Sequence, residues 1–166
     1  MVDKFQDYAP MLIEQLPKGV FLTTGDDNDK NTMTIGWATV GRIWNKPMVV
    51  VAVRYTRHTY ELLEKTKEFT VSIPIDDKMK EELKFCGTKS GRDFDKFSEC
   101  NLAYQKGKEV NVPALTGCKY HYECKVVYQQ AMEPAALNDE LKTRFYKGNN
   151  DYHVLYYGEI VANYTI

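Results

Sequence analysis

The sequence predicts a mainly β fold, an antiparallel barrel with inserted helices. Three observations point there. Stretches rich in β-branched and aromatic residues dominate the 166-residue chain and follow one another across short turns. The helical patterns are short and lie between strands rather than alternating with each of them. The GxGxxG fingerprint and the βα alternation of a dinucleotide-binding sheet are missing. The length fits one domain, residues 1–166, and 43% hydrophobic with 27% charged residues is an ordinary globular balance.

Each element has a local reason. Residues 1–18 form an N-terminal arm or short helix that ends at Pro17. Val20 to Thr24 read as a strand entering the turn "GDDNDKN". "TMTIGWATVGRIWNKP" alternates β-branched, aromatic and small residues, with Gly36 and Gly41 marking bulges or a close approach to the backbone. "MVVVAVR" is almost continuously apolar up to Arg54, the pattern of a central strand buried on both faces. "TRHTYELLEKTKEF" opens a helix, "FTVSIP" is a strand stopped by Pro74, and "DDKMKEELKF" is a helix capped by Asp76 or Asp77. "GCKYHYECKVVYQ" alternates, placing Tyr120, Tyr122 and Cys124 on one face and Lys119, His121 and Glu123 on a solvated one. "NDELKTRFY" is a further helix within a helical insertion over 129–150. "YHVLYYGEIVANYTI" closes the fold as a strand.

Composition narrows the function. A net charge of -1 and a pI near 6.3 exclude a general nucleic-acid binder, which needs a basic face. No apolar run approaches the ~20 residues of a membrane span, and the first residues lack an export pattern. A cytoplasmic location is therefore expected. The four cysteines, Cys86, Cys100, Cys118 and Cys124, have no zinc-type spacing and read as reduced thiols, Cys86 as a packing residue. No metal site is expected. Twelve tyrosines point to an oligomer interface or a flat aromatic ligand.

Two segments look built for an anion. In "RYTRHTYEL", Arg54 ends a strand and Thr56, Arg57 and Thr59 lead into a helix, combining a guanidinium, hydroxyls and free amides. In "CGTKSGRDFDKF", Ser90 and Gly91 precede a second helix start, with Lys96 a turn inside it. Either stretch alone is also what a capped helix with solvated basic residues looks like. A third stretch, "NTMTIGW", offers backbone groups from Asn31 onward and the Trp37 ring, which a planar heteroaromatic would use; an edge strand with Trp37 in the core is the plainer alternative. His58 stands at a helix start, and His121 fits a solvated strand face.

"TMTIGWATV", "VAVRYTRHTYELL", "CGTKSGRDFDKF" and "DYHVLYYGEIV", in this order, resemble the flavin reductase-like proteins of the flavoredoxin group, from about Gly19 to Val161. The resemblance implies an FMN-binding split β-barrel of antiparallel Greek-key type. It implies that Asn31, Thr32, Met33 and Thr34 lie along the flavin with Trp37 near its ring. Arg54, Thr56 and Thr59 would bind the ribityl-phosphate end, Ser90, Gly91 and Lys96 would complete the pocket, and His153 would face the ring. It also implies a homodimer and electron flow from NADH or NADPH through FMN to free flavin or another small acceptor. The alternative is an FMN electron carrier serving a redox protein partner; a flavin sensor or storage module and a pyridoxamine-phosphate oxidase-like barrel are weaker rivals. The 129–150 stretch is longer than in simple members, and a helix there would either cover the flavin and shape access for a second substrate or form part of the dimer contact.

Overall fold

A computed structural model describes residues 4–166; the first three residues of the N-terminal arm lie outside the described residues. The arm consists of a 3-10 turn, Phe5–Tyr8, and helix α1, Ala9–Gln15. It packs inward: Phe5 and Leu12 are buried, and Tyr122 Oη donates to Phe5 O at 2.7 Å.

Seven strands form one antiparallel sheet in the order β2-β1-β5-β8-β9-β4-β3. They are β1 (Val20–Gly25), β2 (Lys30–Ile35), β3 (Ala38–Ile43), β4 (Lys46–Arg54), β5 (Glu68–Ile73), β8 (Tyr120–Ala131) and β9 (His153–Thr165). Short strands β6 (Tyr104–Gln105) and β7 (Ala114–Leu115) make a separate ribbon. The two edge strands, β2 and β3, are neighbours in sequence, separated only by Gly36 and Trp37. A sheet whose first and last strands are joined by two residues has to curl back on itself. That closes a barrel with a split between β2 and β3. Two register shifts in the β8–β9 ladder, at Glu123/Cys124 and Val126/Tyr128, add the local bend that such curvature needs.

Helices α2 (His58–Thr66), α3 (Lys80–Thr88), α4 (Lys96–Glu99) and α5 (Asp139–Tyr146) lie between strands. The barrel core holds Val20, Leu22, Val49, Val51, Val53, Phe69, Val71, Tyr122 and Tyr156. A second cluster, Phe21, Leu83, Cys86, Phe97, Leu102, Leu115 and Cys118, fills the layer outside β1 under α3 and α4.

Several expectations are corrected. Burial on both faces belongs to β1 and β5, which the second cluster covers, and not to "MVVVAVR": β4 alternates, with Val49, Val51 and Val53 buried and Val50 and Ala52 half-exposed. The long "TMTIGWATVGRIWNKP" stretch is two strands, broken at Gly36–Trp37. Its tail is a two-residue hairpin turn in which Trp44 and Asn45 both adopt positive φ, 53° and 57°. Neither Asp76 nor Asp77 caps α3; both sit at positive φ in the preceding turn, and Met79 occupies the N-cap. The 129–150 insertion is helical only in part, because 129–131 still pair with β9. His121 and Glu123 are buried rather than solvated, since the 106–116 loop folds over that face. Glu123 accepts from the backbone amides of Lys108, Glu109 and Val110 and from Tyr164 Oη, while His121 meets Ser72 Oγ and Cys118 O.

Candidate active site

Beside the edge strand β2 and the break that follows it lie two adjoining cavities. The first, about 180 Å³, is walled by Met33, Thr34, Ile35, Gly36 and Trp37 on one side and by Ala52, Arg54, Arg57 and His153 on the other. The second, about 300 Å³, is lined by Asn31, Met33, Thr56, Arg57, His58, Thr59, Lys89, Ser90, Gly91, Arg92, Asp93 and Lys96. Met33 and Arg57 belong to both, so the two form one groove. Together they reach the size range of small-molecule sites, about 300–1,000 Å³.

The first cavity carries the Trp37 and His153 rings in its wall beside the Arg54 and Arg57 guanidinium groups. Trp37 sits at the strand break, 43% exposed, with its ring 5.0 Å from the Phe145 ring and 5.0 Å from the His153 ring. His153 begins β9 opposite Arg54 of β4. Its Nδ1 meets Tyr146 Oη at 2.7 Å, and burial together with the Arg54 charge lowers its pKa from 6.5 to about 4. Arg54 donates to Phe145 O at 3.1 Å and to Asp151 O, and its guanidinium lies 5.0 Å from the Tyr146 ring centre. Thr56 Oγ1 donates to Asp151 Oδ2 at 2.7 Å. Arg54 and Thr56 thus line the groove while tying the end of the insertion beside it.

The second cavity is polar. Helix α2 starts there with no side-chain cap at Arg57, so its first amides remain available to an anion. Asn31 is buried and donates from Nδ2 to the buried Thr59 Oγ1 at 2.9 Å. Gly91 is bare for a steric reason: a Cβ there would lie 2.2 Å from Asn31 Oδ1 and 3.0 Å from His58 Cδ2. Arg92 ties the Gly91 loop to α2 by donating to Thr56 O at 2.7 Å and Glu61 at 2.6 Å.

Some expected residues act differently from the sequence reading. "CGTKSGRDFDKF" does not open a helix at Ser90: α3 runs on through Thr88, residues 89–95 form a loop, and α4 begins at Lys96 with Asp95 as its cap. Lys96 is buried, and Nζ donates to Thr32 O at 3.0 Å and Cys86 O at 2.9 Å, fixing α4 against β2. Burial lowers its pKa. The Thr32 side chain turns away from the groove, to Thr23 Oγ1 and Leu22 O, and Thr34 Oγ1 donates to Leu83 O on α3. Of the predicted residues, Met33, Thr34, Trp37, Arg54 and His153 line the first cavity and Asn31, Met33, Thr56, Thr59, Ser90, Gly91 and Lys96 the second, while Thr32 lines neither. Arg57 joins both cavities, although the sequence placed it only inside an anion-binding segment. Tyr146 and Phe145 come from the insertion, and no local motif marks them. Cys86 is buried and burial raises its thiol to about 12, in keeping with packing. Among the described residues no cluster of three or more metal-binding side chains occurs, and no helix is long and apolar enough to cross a membrane.

A split antiparallel barrel with a groove combining an aromatic wall and an uncapped helix start defines the class. Residues 13–166 match the model of the flavin reductase like domain, and the chain belongs to that family. An uncharacterized protein of Archaeoglobus fulgidus is 30% identical over 117 residues, covering 70% of this chain and 65% of that protein. One from Pyrococcus abyssi is 29% identical over 63% of this chain and 59% of its own length. The chain therefore spans less than two thirds of these relatives. Among solved structures, a flavoredoxin from Methanosarcina acetivorans superposes with a TM-score of 0.69 at 24% identity, covering 89% of this chain and 68% of that one. An FMN-binding protein from Thermus thermophilus gives 0.69 at 23% identity (88% and 68%), and an NADH:FAD oxidoreductase from Streptomyces globisporus gives 0.66 at 18% (89% and 75%). These likenesses bear out the split-barrel fold.

Proposed function

We propose that this chain binds FMN in the groove and transfers electrons from NADH or NADPH to free flavin or another small acceptor. The observation that carries the proposal is the pair of joined cavities, one with the Trp37 and His153 rings in its wall, the other at the uncapped start of α2, meeting at Met33 and Arg57. That division matches a molecule with a planar ring at one end and a phosphate at the other. Asn31, Ser90 and the bare backbone at Gly91 suit the chain between them, while Arg57 and the uncapped start of α2 suit the phosphate. Bound FMN would supply a ring able to take up a hydride and release electrons singly or in pairs. The protein's part is to bind, to exclude water with Trp37 and Phe145, and to present His153. Descriptions of structural relatives as an FMN-binding protein and an NADH:FAD oxidoreductase support this reading.

A second reading is an FMN electron carrier between proteins. The clamp of Arg54 and Thr56 on the insertion favours it, because a segment fixed beside the groove narrows the approach for a nicotinamide. A homodimer is also part of the proposal. Trp44, Val127 and Tyr128 are exposed, and Trp44, Tyr128 and Tyr157 pack together into an aromatic patch suited to a second copy. Anaerobic spectra of the FMN-loaded protein separate the two functions. Rapid bleaching of the flavin bands on adding NADH or NADPH is the expected result. A flavin that stays oxidised with both nucleotides contradicts the enzyme and supports the carrier.

A further inference from the structure

His153 faces the groove, and its other ring nitrogen is held by a residue that belongs to the insertion. Among the described residues Tyr146 Oη meets only His153 Nδ1, at 2.7 Å. Tyr146 is 4% exposed, so its phenol hydrogen has no water to turn to. If Nδ1 carried the proton, two hydrogens would compete for one contact and the phenol donor would be left buried and unmatched, a cost of about 1–3 kcal/mol. The phenol therefore donates to Nδ1. The imidazole proton is then on Nε2, the nitrogen on the far side of the ring from Tyr146.

We propose that Tyr146 is a positioning residue: by donating to His153 Nδ1 it fixes the Nε2–H tautomer and presents that N–H as a donor to an electronegative atom of the flavin ring. The surroundings hold this arrangement in place. Tyr146 stacks on Tyr152 with ring centres 4.7 Å apart and lies under the Arg54 guanidinium, while Trp37 covers the His153 ring. Burial raises the Tyr146 pKa and lowers that of His153, so both partners are neutral near pH 7. A fixed donor aimed at the ring favours the reduced, electron-rich flavin over the oxidised one, because it costs no reorganisation when charge develops. The donor role toward flavin rests on the FMN reading above, whereas the tautomer is a property of the chain alone.

Two measurements separate these parts. Long-range proton–nitrogen NMR of the protein without flavin, with His153 assigned through His153→Gln, reads the tautomer directly. The expected spectrum has a protonated Nε2 and an unprotonated, hydrogen-bonded Nδ1. Tyr146→Phe keeps the ring packing and should move the two nitrogen shifts toward each other, whereas Tyr152→Phe should leave them in place. A protonated Nδ1 in the wild type, or an unchanged spectrum in Tyr146→Phe, overturns the positioning role. Dissociation constants of oxidised and reduced FMN then read the donor role. The wild-type preference for reduced FMN should fall about 3- to 10-fold in Tyr146→Phe, the worth of one hydrogen bond. A preference that does not change overturns the donor role. Failure of FMN to bind at all, with the Nε2–H tautomer intact, overturns the flavin reading and the donor role with it.

Discussion

Gly91 and Arg57 show how single residues set the groove. At Gly91 the nearest obstacle to a Cβ is the amide of Asn31, which cannot swing away without breaking its hydrogen bond to Thr59. Gly91→Ala is therefore expected to weaken FMN binding at least about 10-fold, by lost contacts and a displaced loop. Gly41→Ala, with nothing within 4 Å of its added Cβ, should leave affinity and melting temperature nearly unchanged. Isothermal titration of the two variants checks the contrast, and equal affinities would remove Gly91 from the site. Arg57 differs from Arg54 in its engagements: Arg54 is bonded to the insertion, while Arg57 lines both halves of the groove. Arg57→Ala should therefore weaken FMN about 10-fold or more while changing riboflavin affinity little, because a phosphate contact is charge-assisted. Similar losses for both ligands would place the phosphate elsewhere.

At the level of elements, α5 and the loop after it are tied down by few bonds. Arg54 reaches Phe145 O and Asp151 O, Thr56 reaches Asp151, and Trp37 rests on Phe145. Asp151→Ala removes the carboxylate that Thr56 meets, and amides of α5 should then exchange hydrogen several-fold faster while those of β9 beyond Val154 stay protected. Unchanged exchange would mean that packing alone holds the segment. Elements also show what was legible in the sequence. β1, α2, β5, α5 and β9 could be read because strand- or helix-forming composition and the residues that punctuate it agree with the final structure; Asn138, for example, caps α5 with bonds to Glu140 and Leu141 amides. The β3–β4 hairpin could not, because its turn is Trp44–Asn45 with no glycine. Nothing local says that a tryptophan will accept positive φ; its packing against Tyr128 and Tyr157 accompanies that choice. The same limit hid the true burial of β8, since a strand cannot announce that a distant loop will bond to Glu123. In the site, motif residues such as Ser90, Gly91 and Trp37 were readable. Tyr146 was not, because its role depends on a partner on the next strand.

Among the described residues two histidines, His121 and His153, are buried, and this shapes the response of the whole molecule to acid. Burial lowers both His121 and His153 from 6.5 to about 4. A base whose folded pKa is depressed stays neutral in the native state while the unfolded chain takes up protons first. Its contribution is complete above about pH 6.5 and is lost progressively as pH falls toward 4, by up to about 3 kcal/mol per histidine. Glu61, Glu64 and Asp95, with pKa values lowered by hydrogen bonding, add their own loss only below their ordinary values near 4. Chemical denaturation between pH 7 and pH 4 should therefore show stability falling well before the carboxylates titrate. His121→Asn should flatten that slope, and a profile level down to pH 4.5 would contradict the burial of these rings.

The groove at the barrel split is, on this proposal, a flavin site. Titrating the purified protein with FMN and, separately, with riboflavin, while following flavin fluorescence, tests this most directly. The expected result is saturable quenching of FMN by the Trp37 wall, with FMN bound at least about 10-fold more tightly than riboflavin. No quenching with either ligand would leave the barrel without its flavin and contradict the account.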